Sequence, residues 1–180
     1  MLVSSRWSGV YRAWRRIRDL AGGAEIGILT IEDALHLRKG KRIAFTNGVF
    51  DILHAGHVEY LGQAREGADL LIVGLNSDDS VRRLNKGVER PLNTWADRAT
   101  VVAALRSVDA VIAFDEDTPV RLIEILRPEI HVKGGDYLEE DLPEAQVVRS
   151  YGGEVRIVPL LEGRSTTGIL AKLRALTGNL

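Results

Sequence analysis

Runs of apolar residues alternate along the chain with segments in which apolar positions recur every three or four residues, as Val58, Leu61 and Ala64 do. The first pattern is typical of buried strands and the second of helices. A strand, a helix and a second strand in this order form a right-handed parallel crossover. We therefore predict an α/β fold, a Rossmann-like doubly wound sheet of about five parallel strands flanked by helices. The predicted strands are residues 43–45, 68–75, 108–114, 130–133 and 155–158.

Capping residues indicate where the helices begin and end. Thr30 and Thr94 are each followed three residues later by an aspartate that can complete the cap. Pro119 suits the first position of another helix, and a pair of glycines ends a helix predicted over residues 143–151. The last helix is expected to start at Ser165 or Thr166.

A length of 180 residues favours a single domain. We expect a basic arm at residues 1–28, with five arginines before position 20, and one folded domain at residues 29–180. The arm is compatible with an acidic partner or a nucleic acid. A peripheral helix, a subunit contact or a misplaced start explains it more simply.

The overall charge of −1 gives no general electrostatic reason to bind nucleic acid or a membrane, so a small-molecule substrate fits better. No apolar run approaches the ~20 residues of a membrane span, and arginines stand where a signal peptide would be apolar. The chain has no cysteine, which excludes disulfides. The cytoplasm is therefore the expected compartment.

The stretch from residue 43 to residue 57 joins a buried strand to a helix through a glycine turn and two histidines. Gly48 permits a close backbone turn. A helix that opens near Gly56 would point free N–H groups and the positive end of its dipole at the space above the strand end. His54 and His57 are three residues apart, so on a helix they project to one side and can both donate hydrogen bonds to a single phosphoryl group. We interpret the stretch as a nucleotide-phosphate site.

Spacing alone leaves two other interpretations of the histidine pair open. The two side chains can cap a helix and fill a polar niche, or they can bind a metal. A zinc site normally recruits further Cys, His or carboxylate ligands, and the chain has no cysteine and only His36 and His131 besides this pair.

Two further polar segments can supply positive charge. Residues 85–93 form a loop that holds Lys86 and Arg90, and a phosphoryl-transfer site needs cations to neutralise the charge on phosphate oxygens. A solvated loop is the alternative. At the end of the predicted fourth strand, Lys133 either contacts phosphate or pairs with Asp136, beside glycines that let backbone approach a ligand closely.

Residues 163–167 precede the last predicted helix and carry a glycine, an arginine and three hydroxyl side chains. This second helix N-terminus can receive an anion. A plain N-cap explains Ser165 or Thr166 almost as well.

Gly48-Val49-Phe50-Asp51, followed by His54-Ala55-Gly56-His57, resembles the signature of the cytidylyltransferase-like nucleotidyltransferases. Together with residues 45–48, 90–93, 132–137 and 163–167, it resembles the heptose 1-phosphate adenylyltransferase branch, most closely its stand-alone members for D-glycero-β-D-manno-heptose 1-phosphate. The resemblance runs from about residue 29 to residue 173. Val49 stands where many members of that branch carry cysteine. Leu160 stands where the related glycerol-phosphate enzymes carry arginine, which weakens a glycerol-phosphate assignment.

The resemblance implies a nucleotidyltransferase that transfers AMP from ATP to a heptose 1-phosphate, giving ADP-heptose and pyrophosphate for lipopolysaccharide or surface-glycan precursor synthesis. It implies Mg²⁺ bound with ATP, and we expect no metal site on the protein itself. The expected partners are ATP and a sugar 1-phosphate made by a separate kinase, and the expected assembly is a homodimer. The alternatives are a cytidylyltransferase acting on glycerol 3-phosphate or another phosphorylated alcohol, an FMN adenylyltransferase, and a nucleotide-binding regulator without chemistry.

The resemblance and the residue chemistry together give the expected site. The expected catalytic residues are His54, His57 and Lys86, with the histidines at the α-phosphate. The expected nucleotide-binding residues are Gly48, Val49, Phe50, His54, Gly56, His57, Arg90, Lys133, Gly163, Arg164, Ser165, Thr166 and Thr167. The expected substrate-binding residues are Asp51, Asn93, Gly134 and Asp136.

Overall fold

The computed structural model describes residues 27–84, 90–135, 137–161 and 163–177. Its strands are β1 (Gly27–Leu29), β2 (Ile43–Gly48), β3 (Leu70–Asn76), β4 (Ala110–Phe114), β5 (Ile130–Gly134) and β6 (Glu154–Val158). Within the described residues these six strands form one sheet in the order β1-β4-β3-β2-β5-β6, and every neighbouring pair is parallel. The predicted α/β class is confirmed.

All five predicted strands are present, and the sheet gains a sixth, β1, that the sequence pattern does not predict. Three residues give no usable periodicity, and β1 forms because Gly27 to Leu29 pair in parallel with β4. The sheet thus begins at Gly27, inside the segment assigned to the basic arm. The rest of that arm, residues 1–26, lies outside the described residues.

Helices connect the strands and cover the sheet. They are α1 (Ile31–Leu37), α2 (Ala55–Arg65), α3 (Asp78–Arg83), α4 (Trp95–Ala103), α5 (Val120–Leu126), α6 (Pro143–Ser150) and α7 (Thr166–Thr177), with a short 3-10 helix at Glu139–Asp141. Thr30 and Thr94 are N-caps, as predicted, and each hydroxyl accepts a hydrogen bond from the backbone N–H of the aspartate three residues on. Pro119 is itself the N-cap of α5, not its first helical residue.

Each face of the sheet has its own hydrophobic core. On one face α2 and α4 pack against alternate residues of β3, including Leu71 and Val73. On the other face α1, α5 and α6 pack against the residues between them, including Leu70 and Ile72. Every residue of β3 is buried, because the strand lies inside a sheet that is covered on both faces.

The order of the strands places the functional site. From β2 the chain adds β3 and β4 on one side, and it later returns to add β5 and β6 on the other side of β2. The direction of winding therefore reverses between β2 and β5, and ligands of such sheets bind beyond the carboxyl ends of the strands at this reversal. Among the described residues, no helix is long and apolar enough to cross a membrane.

Candidate active site

The junction of β2 and α2 lies at the reversal of the sheet and is tightly folded. Phe50 has a left-handed backbone, with φ of 46°, and its ring packs over Gly48. A Cβ on Gly48 would come within 2.8 Å of that ring, so any other residue here would push the ring out of place. The turn directs the chain from the end of β2 into α2, which starts just after His54.

His54 and His57 form a stacked pair at the start of α2. Their ring centroids are 3.9 Å apart with an interplanar angle of 25°, and the Phe50 ring lies 5.2 Å from that of His57. His54 is the N-cap, yet its side chain makes no capping hydrogen bond. The Nδ1 atoms of both histidines are buried and have no hydrogen-bond partner in the described part of the chain. The capping alternative therefore fails for His54, and both rings keep hydrogen-bonding capacity for a ligand.

The surroundings lower the pKa of both imidazoles, which favours their neutral form. Burial, followed by the charge of the neighbouring His54, lowers the pKa of His57 from 6.5 to about 4. Burial and the nearby Arg164 guanidinium lower the pKa of His54. A neutral imidazole still carries one N–H donor, so the pair can serve an anion without a fixed charge of its own. An arriving phosphate would raise both pKa values, because it would place a negative charge beside the rings.

The N-terminus of α7 meets the N-terminus of α2 at this point. Thr166 Oγ1 donates to the carbonyl of Ile52 at 3.3 Å, and Ser165 Oγ accepts from the N–H of Gly168 at 3.0 Å. A Cβ on Gly56 would lie 3.1 Å from both Arg164 and His54, so the glycine lets these residues approach each other. Two positive helix ends therefore face the same region, which favours an anionic ligand.

The rest of the predicted 163–167 segment is exposed around this contact. Gly163 turns the chain with φ of +68°, and Thr167 is an exposed residue in the first turn of α7.

Asp51 anchors the segment that follows the loop 85–89. Its carboxylate accepts hydrogen bonds from the backbone N–H groups of Leu92 and Asn93 at 2.9–3.1 Å, and the Asn93 amide donates to the Asp51 carbonyl at 2.7 Å. The Asp51 side chain is almost completely buried. The predicted substrate contacts Asp51 and Asn93 are thus engaged with each other.

Arg90 is held beside this anchor. Its Nε lies 3.8 Å from Asp51 Oδ2, and its Nη2 is buried without a hydrogen-bond partner in the described structure. Only 12% of the side chain is exposed. A buried guanidinium with an unused donor is suited to a phosphate oxygen.

Arg98 connects these pieces from inside the protein. Its side chain is completely buried. It donates to the carbonyls of Val49, Asn76 and Asn93 at 2.6–3.1 Å and to Asp78 Oδ1 at 2.7 Å. One guanidinium therefore joins the ends of β2 and β3 to the 90–93 segment. A sequence signal exists, because position 98 belongs to the buried stripe of α4 at positions 95, 98, 99 and 102.

Lys133 pairs within the protein. Its Nζ lies 2.6 Å from Glu144 Oε1 and donates to Asn47 Oδ1 on the neighbouring strand β2 at 3.2 Å. Glu144 also lies 3.4 Å from Nε2 of the buried His131. Burial alone would raise the pKa of Glu144, but the contacts with His131 and Lys133 together lower it. Nothing in the sequence singles out Glu144, because it comes from the distant helix α6.

Gly134, the last residue of β5, lies against Leu160 and Tyr60. The Tyr60 hydroxyl is hydrogen-bonded to Thr46 at 2.6 Å and to the Val132 carbonyl at 3.0 Å, which fixes α2 to β2 and β5. The predicted site residues Lys86 and Asp136 lie outside the described residues. No group of three or more His, Cys, Asp or Glu that could hold a metal occurs among the described residues.

A pair of imidazoles at two helix N-termini, with Arg164 close by and Arg90 held beside Asp51, is suited to a phosphate group. Such a site at the reversal of a Rossmann-like sheet is suited to a nucleotidyltransferase. The chain belongs to the cytidylyltransferase-like family, which residues 45–169 match.

Individual relatives agree with this assignment. The chain is 60% identical over 136 residues to "Bifunctional protein HldE" of Geotalea uraniireducens, a match that covers 76% of this chain and 28% of the relative. It is 56% identical over 152 residues to the protein of the same name from Pseudomonas aeruginosa strain LESB58, covering 84% and 32%. The chain thus spans about a third or less of the length of these relatives.

A solved structure shares the fold. The "lipopolysaccharide core biosynthesis protein" of Thermoplasma volcanium aligns with a TM-score of 0.55 and 28% sequence identity. The alignment covers 69% of this chain and all of that one.

Proposed function

We propose that this protein transfers AMP from ATP to a heptose 1-phosphate and releases pyrophosphate, giving ADP-heptose for surface-glycan or lipopolysaccharide precursors. The observation that carries the phosphoryl chemistry is the stacked His54–His57 pair, whose buried Nδ1 atoms have no partner in the described structure. The sugar assignment rests on segments 90–93 and 132–137, which resemble the heptose branch. The HldE relatives and the lipopolysaccharide core biosynthesis protein support it.

In the proposed reaction, an oxygen of the sugar phosphate attacks the α-phosphorus of ATP. A new oxygen–phosphorus bond forms, the bond from the α-phosphorus to the α–β bridging oxygen breaks, and the electron pair leaves with pyrophosphate. No covalent bond to the enzyme forms. Catalysis is therefore positioning of two phosphates in line and stabilisation of the charge that spreads over the α-phosphate oxygens.

Each group near the β2–α2 junction has a role in this scheme. His54 and His57 each donate one hydrogen bond to the α-phosphate, and the free N–H groups at the start of α2 add to their effect. The free Nη2 of Arg90 and the α7 N-terminus with Arg164 neutralise the β- and γ-phosphates. Lys86 stays a predicted catalytic cation, because it lies outside the described residues.

Asp51 and Arg98 act one step away from the substrate in this scheme. Asp51 holds the 90–93 segment, and Arg98 holds that segment to the ends of β2 and β3. We therefore assign both as positioning residues, and Asn93 shares the role through its bond to Asp51.

Magnesium enters this scheme as part of the Mg·ATP substrate, where it neutralises triphosphate oxygens. This role for the metal agrees with the state of Asp51 and Asp78, because the first is engaged by backbone N–H groups and the second by Arg98. Neither carboxylate is offered as a metal ligand. Mg²⁺ commonly keeps its waters and binds substrate phosphates with few protein ligands. We expect chelation by EDTA to abolish turnover and added Mg²⁺ to restore it, and full turnover in EDTA would contradict this part of the proposal.

The proposal also places the protein in a reaction sequence. A kinase reaction must supply the sugar 1-phosphate, whether it resides in a separate protein or not. ATP as donor makes the cytoplasm the expected compartment. A homodimer stays a prediction that sedimentation of the purified protein tests.

A kinetic comparison tests the substrate assignment. Pyrophosphate release is measured with ATP or CTP against heptose 1-phosphate, glycerol 3-phosphate and FMN, and the His54→Ala/His57→Ala double variant serves as the inactive control. We expect kcat/KM to be highest for ATP with heptose 1-phosphate, because buried polar groups built for sugar hydroxyls discriminate against a substrate without them. Preference for CTP with glycerol 3-phosphate would overturn the sugar assignment, and no release with any pair would overturn the enzyme assignment.

A further inference from the structure

A concave surface lies at the amino-terminal end of β2 and β5, whereas the histidine pair lies beyond the carboxyl end of β2. It has a volume of about 570 Å³, and it is formed by the turn between α1 and β2 together with Glu129, which directly precedes β5. Because β2 has six residues, the two sites are separated by roughly 20 Å. We call this surface the basic cavity, after the residues that line it: Arg38, Lys39, Lys41 and Arg42.

Internal ion pairs use only part of the charge of the basic cavity. Arg38 Nη2 donates to Glu129 Oε1 at 2.8 Å, and Glu129 Oε2 in turn accepts from the backbone N–H of Ile43 at 2.7 Å. Glu129 is the single carboxylate among the described lining residues, and it is fully engaged. The side chains of Lys39 and Lys41 make no ion pair within the described residues. The cavity therefore keeps a positive excess.

Two buried polar groups beside the cavity lack partners. Arg38 Nε and the Tyr151 hydroxyl are both buried, and neither has a hydrogen-bond partner in the described structure. Buried donors of this kind are normally satisfied by protein, water or a ligand. Burial and the Glu129 carboxylate raise the pKa of Tyr151 to about 12, so the hydroxyl is protonated and able to donate.

Contacts with Arg127 further restrict the position of the Arg38 side chain. Arg127 has a left-handed backbone with φ of 45°, and its guanidinium carbon lies 5.6 Å from the centre of the Tyr151 ring. The Arg127 carbonyl accepts a second hydrogen bond from Arg38 at 3.0 Å. Arg38 is thereby fixed in place, so its positive charge stays in the wall of the cavity.

We propose that the basic cavity is a binding site for a phosphate-bearing small molecule, separate from the nucleotide site. A phosphate group offers several strong acceptors and two negative charges for the unpaired lysines. The ligand contacts would be the ammonium groups of Lys39 and Lys41, and the Arg38 guanidinium in the wall of the cavity would add positive charge beside them. The cavity is small and local, because only the turn between α1 and β2 and the single residue Glu129 before β5 form it. It therefore suits a small molecule better than an extended polymer.

An NMR titration of the full ¹⁵N-labelled chain tests the proposal. Inorganic phosphate, pyrophosphate, a sugar phosphate and ATP are titrated in turn, and the backbone amides of Gly40 and Lys41 are followed. We expect saturable shifts of these amides in the wild-type protein and in the His54→Ala/His57→Ala variant, since the two sites are separate. The order of affinity among the four probes then identifies which kind of phosphate compound the cavity prefers.

The Lys39→Gln/Lys41→Gln variant provides the decisive comparison. We expect it to bind the best probe more weakly by a factor on the order of ten or more, because it loses two charge-assisted contacts. The matched control is Lys172→Gln, which removes one exposed positive charge on α7 and should leave the titration unchanged. Lys39 is exposed and Lys41 is half-buried without an ion pair, so an unchanged melting temperature is expected.

Three results would overturn the proposal. The first is the absence of saturable shifts at Gly40 and Lys41 with all four probes. The second is equal affinity in the wild-type protein and the double-lysine variant. The third is a response to an RNA oligonucleotide alone, which would indicate a polymer surface.

Discussion

Replacing Arg98 by lysine tests whether one buried guanidinium holds the candidate site together. In the native protein Arg98 donates hydrogen bonds to three carbonyls and one carboxylate, on the segments that contain Val49, Asn76, Asn93 and Asp78. A lysine keeps the charge. Its single ammonium cannot reach acceptors that lie in three directions around a planar fork.

The expected loss of stability follows from these contacts. If lysine keeps the ion pair to Asp78, two or three carbonyls lose their donor, and a buried unsatisfied acceptor costs about 1–3 kcal/mol. Partial relaxation and water entry reduce the sum, so we expect a decrease of roughly 2–4 kcal/mol in the free energy of unfolding. For a chain of this size that corresponds to a melting temperature lower by roughly 5–15 °C.

Thermal melting and steady-state kinetics measure the two consequences. We expect kcat to fall by about tenfold or more at a temperature where the variant is folded, because the ends of β2 and β3 lose their alignment. Arg106→Lys, at an exposed position beyond the same helix, is the matched control and should change the free energy of unfolding by no more than about 0.5 kcal/mol. An Arg98→Lys variant with the melting temperature and the kinetic constants of the control would refute the reasoning.

Three further predictions concern the histidines and Asp51. His54→Ala and His57→Ala should each reduce turnover by a factor on the order of 10² with an unchanged far-UV CD spectrum. The control His36→Ala should match the wild type. Normal turnover in the first two variants would exclude His54 and His57 from the mechanism. Asp51→Asn should lower the free energy of unfolding by about 1–3 kcal/mol in urea titrations, because its new NH₂ group faces two N–H donors; an unchanged value would show that the anchor contributes little. Burial lowers the pKa of His57 from 6.5 to about 4 and also lowers that of His131, so the unfolded state binds more protons than the native state between pH 4 and pH 6.5. The free energy of unfolding should therefore rise with pH from about 4 to 6.5 and level off above. Urea titrations in which His57→Gln leaves this slope unchanged would contradict the assignment to His57.

The sequence by itself determined the parts of the protein that depend on neighbouring residues. Five of the strands are visible as apolar runs, and the caps at Thr30 and Thr94 are visible as a hydroxyl followed by an aspartate. The turn after β2 and the histidine pair are encoded within residues 43–57, so their closeness follows from local geometry. These features need only the spacing of side chains along a strand or a helix.

The tertiary structure decided the features that depend on residues far apart in the chain. β1 exists because β4 offers an edge to pair with. Lys133 meets Glu144 from α6, although the sequence offered phosphate or the nearby Asp136 as its partner. Arg98 is buried because three carbonyls from separate segments converge on it. A charged side chain takes its role from the partners that the packed chain brings within reach, and those partners cannot be read from local spacing.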